Sequence, residues 1–270
     1  MCCLKEETLS NITIDPNKLT SEINDHDTRI IDVRSKSDYL QHHIPNSVNL
    51  PLSKILSNDS PNHLLTLIQS FGIDDTTHVV VYDNTFGALA SRLTWSLSYI
   101  GHDNVSLLDV TYDKWQSLGY ETNSKIVDFE IKKHKLNINN SILSTINYLE
   151  QKINDNKTVI VDNRERLNFL EHHIPNAINI PYKMFASQNK ILKNPKELKQ
   201  IFENRNIKEQ DEIITYCGSS GTLSGLAYNA LKSIGFKNIK LYVRSFKEWR
   251  QQNKKVEKQN NANYWDLSAE

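Results

Sequence analysis

Residues Ile30–Pro51 read IIDVRSKSDYLQHHIPNSVNLP, and Ile160–Pro181 read IVDNRERLNFLEHHIPNAINIP. Eleven of these 22 positions are identical at an offset of 130. The shared residues are an Asp-x-Arg start, a His-His-Ile-Pro-Asn run and a closing Asn-x-Pro. A second pair follows. Val79–Trp115 aligns with Ile213–Trp249 at an offset of 134 with nine identities, among them Tyr82/Tyr216, Gly87/Gly221, Gly101/Gly235 and Asn104/Asn238. A period this long means two copies of one domain, not a solenoid of short repeats.

Each copy reads as α/β. Arg29–Val33 and Thr158–Val161 are short β-branched runs that predict buried strands, as do His78–Tyr82 with Glu212–Tyr216 and Val105–Leu108 with Ile239–Val243. Helical stretches, Gly87–Ile100 and Thr222–Ile234, lie between the second and third strands and stop at Gly101 and Gly235. Alternating strands and helices imply a mainly parallel sheet with helices on both faces. Ligands of such sheets sit beyond the carboxyl ends of the strands. The expected boundaries are a first domain over 10–121, a polar linker over 122–139, a second domain over 140–251 and a tail over 252–270, which holds the aromatic pair Tyr264–Trp265.

Composition excludes several functions. The chain has 270 residues and a mean hydropathy of −0.54, and no apolar run approaches the ~20 residues that span a bilayer. Met1–Asn11 has no apolar core of a secretory signal, so the expected setting is the cytoplasm. Three cysteines, two of them adjacent at Cys2 and Cys3, make no disulfide framework. Zero net charge argues against nucleic-acid binding. The zero hides an asymmetry: residues 1–123 hold 8 basic and 16 acidic residues, and residues 124–270 hold 24 and 16. Halves charged −8 and +8 attract one another, and the second favours a small anion. No phosphate- or dinucleotide-binding glycine pattern follows a strand, and no Cys/His spacing calls for a metal, so no cofactor is expected.

Chemistry belongs where the copies differ. The first reads VVVYDNTFGALAS and the second IITYCGSSGTLSG, so Cys217 stands opposite Asp83 at the end of a central strand. Gly218, Ser219, Ser220 and Gly221 follow, and Thr222 opens a helix. Small residues let successive backbone N–H groups turn toward one point, and the helix adds the positive end of its dipole. A cysteine there is expected to react as the thiolate, which requires its sulfur to be reachable from solvent. A cysteine phosphatase would need Cys-x5-Arg, but the arginine position is Leu223.

These residues together resemble the rhodanese family: the Asp-x-Arg…His-Ile-Pro…Asn-x-Pro segment, the strand ending Tyr-Cys, the six-residue loop and the later Gly-Phe…Trp. Two copies with cysteine only in the second resemble the tandem-domain sulfurtransferases that use thiosulfate or 3-mercaptopyruvate. The resemblance covers residues 10–251. It implies that Cys217 takes sulfur from a small anionic donor as a persulfide, and that a thiol or cyanide acceptor removes it in a ping-pong cycle. The thiol would be a low-molecular-weight one or a thioredoxin-like protein. The loop from Gly218 to Thr222 would cradle the persulfide, with Thr222 capping the helix. An uncharged Cys-Gly-Ser loop is closer to the mercaptopyruvate type. Both types usually carry a substrate-binding arginine where this chain has Asn168, so Arg166 and Arg244 are the candidate replacements. A Ser-Pro…His stretch of the first domain resembles Ser60–His63 and makes His63 a candidate base. Arg164, matched by Arg34, is expected to pair structurally with Asp162. The duplicated His42, His43, His172 and His173 read as architectural. The competing reading is a persulfide carrier or a regulatory binding module without turnover.

Overall fold

The computed structural model describes residues 12–259. Cys2, Cys3 and Tyr264–Trp265 lie outside them. In the first copy β1 (Thr13–Ile14), β2 (Thr28–Asp32), β3 (Ser47–Asn49), β4 (His78–Tyr82) and β5 (Val105–Leu108) form a parallel sheet in the order β1-β5-β4-β2-β3. In the second, β6 (Thr158–Asp162), β7 (Ile178–Asn179), β8 (Glu212–Tyr216) and β9 (Ile239–Leu241) repeat it as β7-β6-β8-β9. A single parallel bridge, Leu143 to Leu241, stands where β1 would be. The predicted third strand of the second copy stops at Leu241, so Val243 and Arg244 belong to the turn that follows.

The residues common to both copies are struts inside each domain. Arg34 and Arg164 pair with Asp32 and Asp162 at 2.6 and 2.5 Å and also donate to the carbonyls of His42 and His172. Asn46 and Asn176 both take φ of 60°, a left-handed turn that Asn tolerates, and their side chains donate to Ile23 and Ile153 carbonyls at 3.0 Å. His43 and His173 are buried, stack on Tyr39 and Phe169, and donate from Nδ1 to those residues' carbonyls at 2.7 and 2.8 Å. Each holds an architectural place.

The helices Ala88–Tyr99 and Thr222–Ser233 follow the central strands and pack against each other across the domain boundary. They approach closely because the contact is made by small residues: a Cβ on Gly225 would sit 3.3 Å from the Ser91 carbonyl. The Asn229 amide donates to the Thr94 hydroxyl at 3.0 Å across the same seam. One apolar cluster joins residues of both domains, from Ile31 and Val81 to Val161, Leu226 and Leu241. The polar linker is pinned along the first domain. Arg29 lies 3.3 Å over the Phe129 ring, and His43 and Asn123 exchange backbone hydrogen bonds. His102 and His134 meet nitrogen to nitrogen at 3.0 Å. Among the described residues no helix is long and apolar enough to cross a membrane.

Candidate active site

Cys217 follows β8, and its loop leads into the helix Thr222–Ser233. Ser220 and Gly221 take φ of 59° and 70°, two consecutive left-handed residues that turn the chain back over the strand end. The helix begins at Gly221, with no side chain capping it. Thr222 is therefore not the cap predicted for it. A left-handed residue at the N-cap replaces a side-chain acceptor and leaves the first-turn N–H groups free for another partner.

The duplicate loop shows what that partner can be. Asp83 is 1% exposed, and its two carboxylate oxygens accept four backbone N–H bonds: Thr85 at 2.8 Å, Gly87 at 2.9 Å, Leu89 at 2.8 Å and Ala90 at 3.0 Å. Burial pushes this carboxyl up and the four N–H bonds oppose that shift. None of the four offers an acceptor for a proton. The residues aligned with these donors are Ser219, Gly221, Leu223 and Ser224.

The second loop stands differently around the neutral thiol. Cys217 is 1% exposed, so the expectation of a sulfur open to solvent is corrected. Its Sγ–H donates to the Ser219 carbonyl at 3.2 Å and lies 3.7 Å from the Ser245 hydroxyl. The Gly221 N–H turns to that same carbonyl at 2.7 Å, whereas its counterpart on Gly87 turns to the carboxylate. Neither the Leu223 nor the Ser224 N–H has a protein acceptor among the described hydrogen bonds. The inward ring of amides is thus realised in the first copy and not around the thiol. The reason is polarity: a thiol is a donor and draws in a carbonyl, and an anion draws in N–H groups. Gly218 and Ser219, which follow the buried Cys217, are exposed.

At the domain seam lies a cavity of about 410 Å³, which none of residues 217–222 lines. Ile55, Leu64, Trp95, Leu143 and Val243 give it apolar walls, and Asp59, Arg92, Arg244 and Glu248 supply its charges. Arg244 is 64% exposed and pairs with Asp59 of the other domain at 3.0 Å. Of the two arginines singled out in the sequence, Arg244 is the one that reaches this cavity. Arg166 is half-buried at the start of the helix Arg166–Glu171 and does not line it. His63 spends its backbone N–H on the Ser60 hydroxyl at 3.2 Å. Ser60, Pro61 and Leu64 line the cavity; His63 does not, and its imidazole makes no described hydrogen bond. Asn168 is exposed.

Three residues of the site were given no role by the sequence reading, although Asp59 stands near His63 in the sequence. Ser245, at φ 58°, receives the Cys217 N–H at 3.2 Å. Asp59 anchors Arg244. Arg92, on the first domain's helix, is 3% exposed and donates from Nε to the Ser220 carbonyl at 2.8 Å and from Nη1 to the Ser96 hydroxyl. Burial lowers its guanidinium to about 10, with Asp59 and Cys217 raising it and Arg244 lowering it, so it stays charged at neutral pH. A signal for Arg92 was present: it is a lone charge in an otherwise uncharged helix, and its counterpart is Leu226.

The profile of the rhodanese-like domain matches residues 15–118 and 145–252. The chain belongs to the rhodanese-like family. It is 24% identical over 238 residues to thiosulfate sulfurtransferase of Rattus norvegicus, covering 80% of each chain. It is 26% identical over 260 residues to 3-mercaptopyruvate sulfurtransferase of Escherichia coli K12, covering 86% of this chain and 92% of that one. The crystal structure of Escherichia coli SseA superposes with a TM-score of 0.79 at 24% identity, over 88% of this chain and 99% of that one. An anaerobic ergothioneine biosynthesis enzyme from Chlorobium limicola reaches 0.83 at 19% identity, over 93% and 71%. The last two likenesses concern fold. The duplicated α/β architecture read from the repeats is the rhodanese fold, and the curated relatives support a sulfur-transferring enzyme.

Proposed function

We propose that this rhodanese-like protein is a sulfurtransferase that carries sulfur as a persulfide on Cys217. The observation that supports it is the exchange of Asp83 for Cys217 between otherwise matching loops. The terminal atoms of an aspartate and of a cysteine persulfide both stand two bonds beyond Cβ. The first loop therefore displays, around a carboxylate, the N–H groups that the second would turn onto a terminal sulfur anion.

The Cys217 thiolate attacks the outer sulfur of a small anionic donor. With thiosulfate the S–S bond breaks and sulfite leaves with the electron pair. With 3-mercaptopyruvate the C–S bond breaks, and the enolate that leaves takes a proton to become pyruvate. The persulfide anion displaces the Ser219 carbonyl, and the amides of Ser219, Gly221, Leu223 and Ser224 receive it. An acceptor thiolate, from a low-molecular-weight thiol or a thioredoxin-like protein, or cyanide then attacks the terminal sulfur and releases the Cys217 thiolate. The cytoplasm is the compartment we assign, because a single working thiol needs reducing surroundings. His63 and Arg166 have no part in this scheme.

Incubation of the reduced protein with either donor should add one sulfur atom by intact mass. The adduct should vanish in Cys217→Ser and persist when Cys2 and Cys3 are replaced. Sulfite or pyruvate release then names the donor. An adduct that persists in Cys217→Ser refutes the assignment, and a Cys217 adduct without turnover turns it toward a persulfide carrier.

A further inference from the structure

We propose that Arg92, supplied by the first domain, holds the anionic group of the sulfur donor. This rests on the reading of Cys217 as the sulfur carrier. Of Arg166 and Arg244, the two arginines expected from the sequence, only Arg244 reaches the cavity.

Arg92 has what such a site needs. It lines the cavity and is almost fully buried. Among the described residues no carboxylate forms an ion pair with it, because Asp59, whose charge it feels, is engaged by Arg244. A buried guanidinium without a countercharge is costly, and a carboxylate or sulfonate entering the cavity offsets that cost with charge-assisted hydrogen bonds. Its Nε bond to the Ser220 carbonyl ties it to the loop three residues beyond Cys217, whose charge it feels. Arg244, at the exposed end of the same cavity, is the second cation within reach of such a group. The second domain alone, lacking Arg92, has an incomplete site.

The test separates anion binding from turnover. Cys217→Ser protein is titrated calorimetrically with pyruvate against neutral pyruvamide, and with methanesulfonate against methanesulfonamide. At least one anion is expected to bind about tenfold tighter than its amide, about 1.4 kcal/mol. Arg92→Gln in the same background should erase that preference and leave the amide's affinity within about threefold, and Arg92→Lys should restore part of it. A preference that survives in Arg92→Gln, or is absent from Cys217→Ser itself, overturns the proposal. In the Cys217 enzyme, Arg92→Gln should raise the donor concentration at half-saturation about tenfold while the limiting rate of persulfide formation changes less than about threefold. A residue that only braces the loop would lower the limiting rate instead. Because the titrations need no turnover, they judge Arg92 even if Cys217 forms no persulfide. Thermal melting of both variants guards against misfolding. If the glutamine variant is unfolded, the lysine variant decides: an anion preference as large as in its Arg92 parent overturns the proposal, and a reduced one supports it.

Discussion

Asp83→Asn tests the amide cradle directly, because it changes charge and one atom while keeping the shape of the side chain. In the native loop each carboxylate oxygen accepts two N–H bonds, at 2.8 and 2.9 Å on one and 2.8 and 3.0 Å on the other. An asparagine keeps one oxygen and turns an NH2 group toward the other two donors. One buried and one part-buried N–H group then lose their acceptor, at roughly 1–3 kcal/mol each. Relief of the buried charge, whose cost is what pushes the carboxyl up, returns part of this. The net loss should be about 2–4 kcal/mol, or roughly 4–16 °C in Tm for a chain of this size. Urea unfolding followed by tryptophan fluorescence measures it. The same pair of side chains placed in the second loop extends the argument. Cys217→Asp should be more stable than Cys217→Asn by a similar amount, because the second loop must be able to turn the same four amides inward. A difference under about 1 kcal/mol at position 83 would show that the carboxylate is not the organising ligand of its loop. A Cys217→Asp protein no more stable than the Cys217→Asn protein would remove the basis for placing a persulfide there.

Gly225→Leu should force apart the two seam helices, since even its Cβ would meet the Ser91 carbonyl at 3.3 Å; persulfide formation at subsaturating donor should fall about tenfold or more as Arg92 leaves the loop, whereas Gly225→Ala should cost about 1 kcal/mol, the tight contact being partly offset by helix propensity. Stopped-flow persulfide formation and thermal melts check the pair, and an unimpaired leucine variant would refute the close packing. Burial and the neighbouring His134 lower the His102 imidazole to about 4 from 6.5. Its folded value lies below its unfolded one, so the stability it confers is complete above pH ~6.5 and is lost as pH falls toward 4, by up to about 3 kcal/mol. Urea midpoints at pH 7 and 4.5 should lie closer together in His102→Leu than in the parent, and an unchanged difference would exclude this imidazole as the cause.

The sheet and its repeat were legible because they are written locally. β-branched runs, the Asp-x-Arg pair and the Pro-Asn turn sit within a few tens of residues of their partners, and the duplication marks as structural whatever both copies keep, such as His43 and His173. The short edge strands β1, β3 and β7 were not, since two or three residues carry no period. Contacts across the seam were equally hidden. Arg92 meets Ser220 from 128 positions away, and Asp59 meets Arg244 from the other domain. Nothing in a sequence window announces such a pairing, although an arginine opposite Leu226 in a helix of small and apolar residues was a usable mark. The sealed thiol was missed for a different reason. The first loop faces its amides inward around a carboxylate and the second a carbonyl toward a thiol, an arrangement that the small residues of Cys217–Thr222 do not announce.

On the proposed mechanism, the different occupants of the two loops would account for one copy sufficing for the chemistry and for the other still being needed. A loop whose amides are already taken by Asp83 has no site left for a sulfur anion, so the first domain cannot duplicate the reaction. The same carboxylate fixes that loop and, through it, the start of the helix that presents Arg92 to the neighbouring domain. In the second domain the cradle must remain unfilled by its own side chains, because an internal acceptor would compete with the persulfide. Cys217 Sγ makes one hydrogen bond to the Ser219 carbonyl. On the proposed mechanism that bond would yield to a sulfur anion that can draw four N–H groups in place of one bond to the Ser219 oxygen.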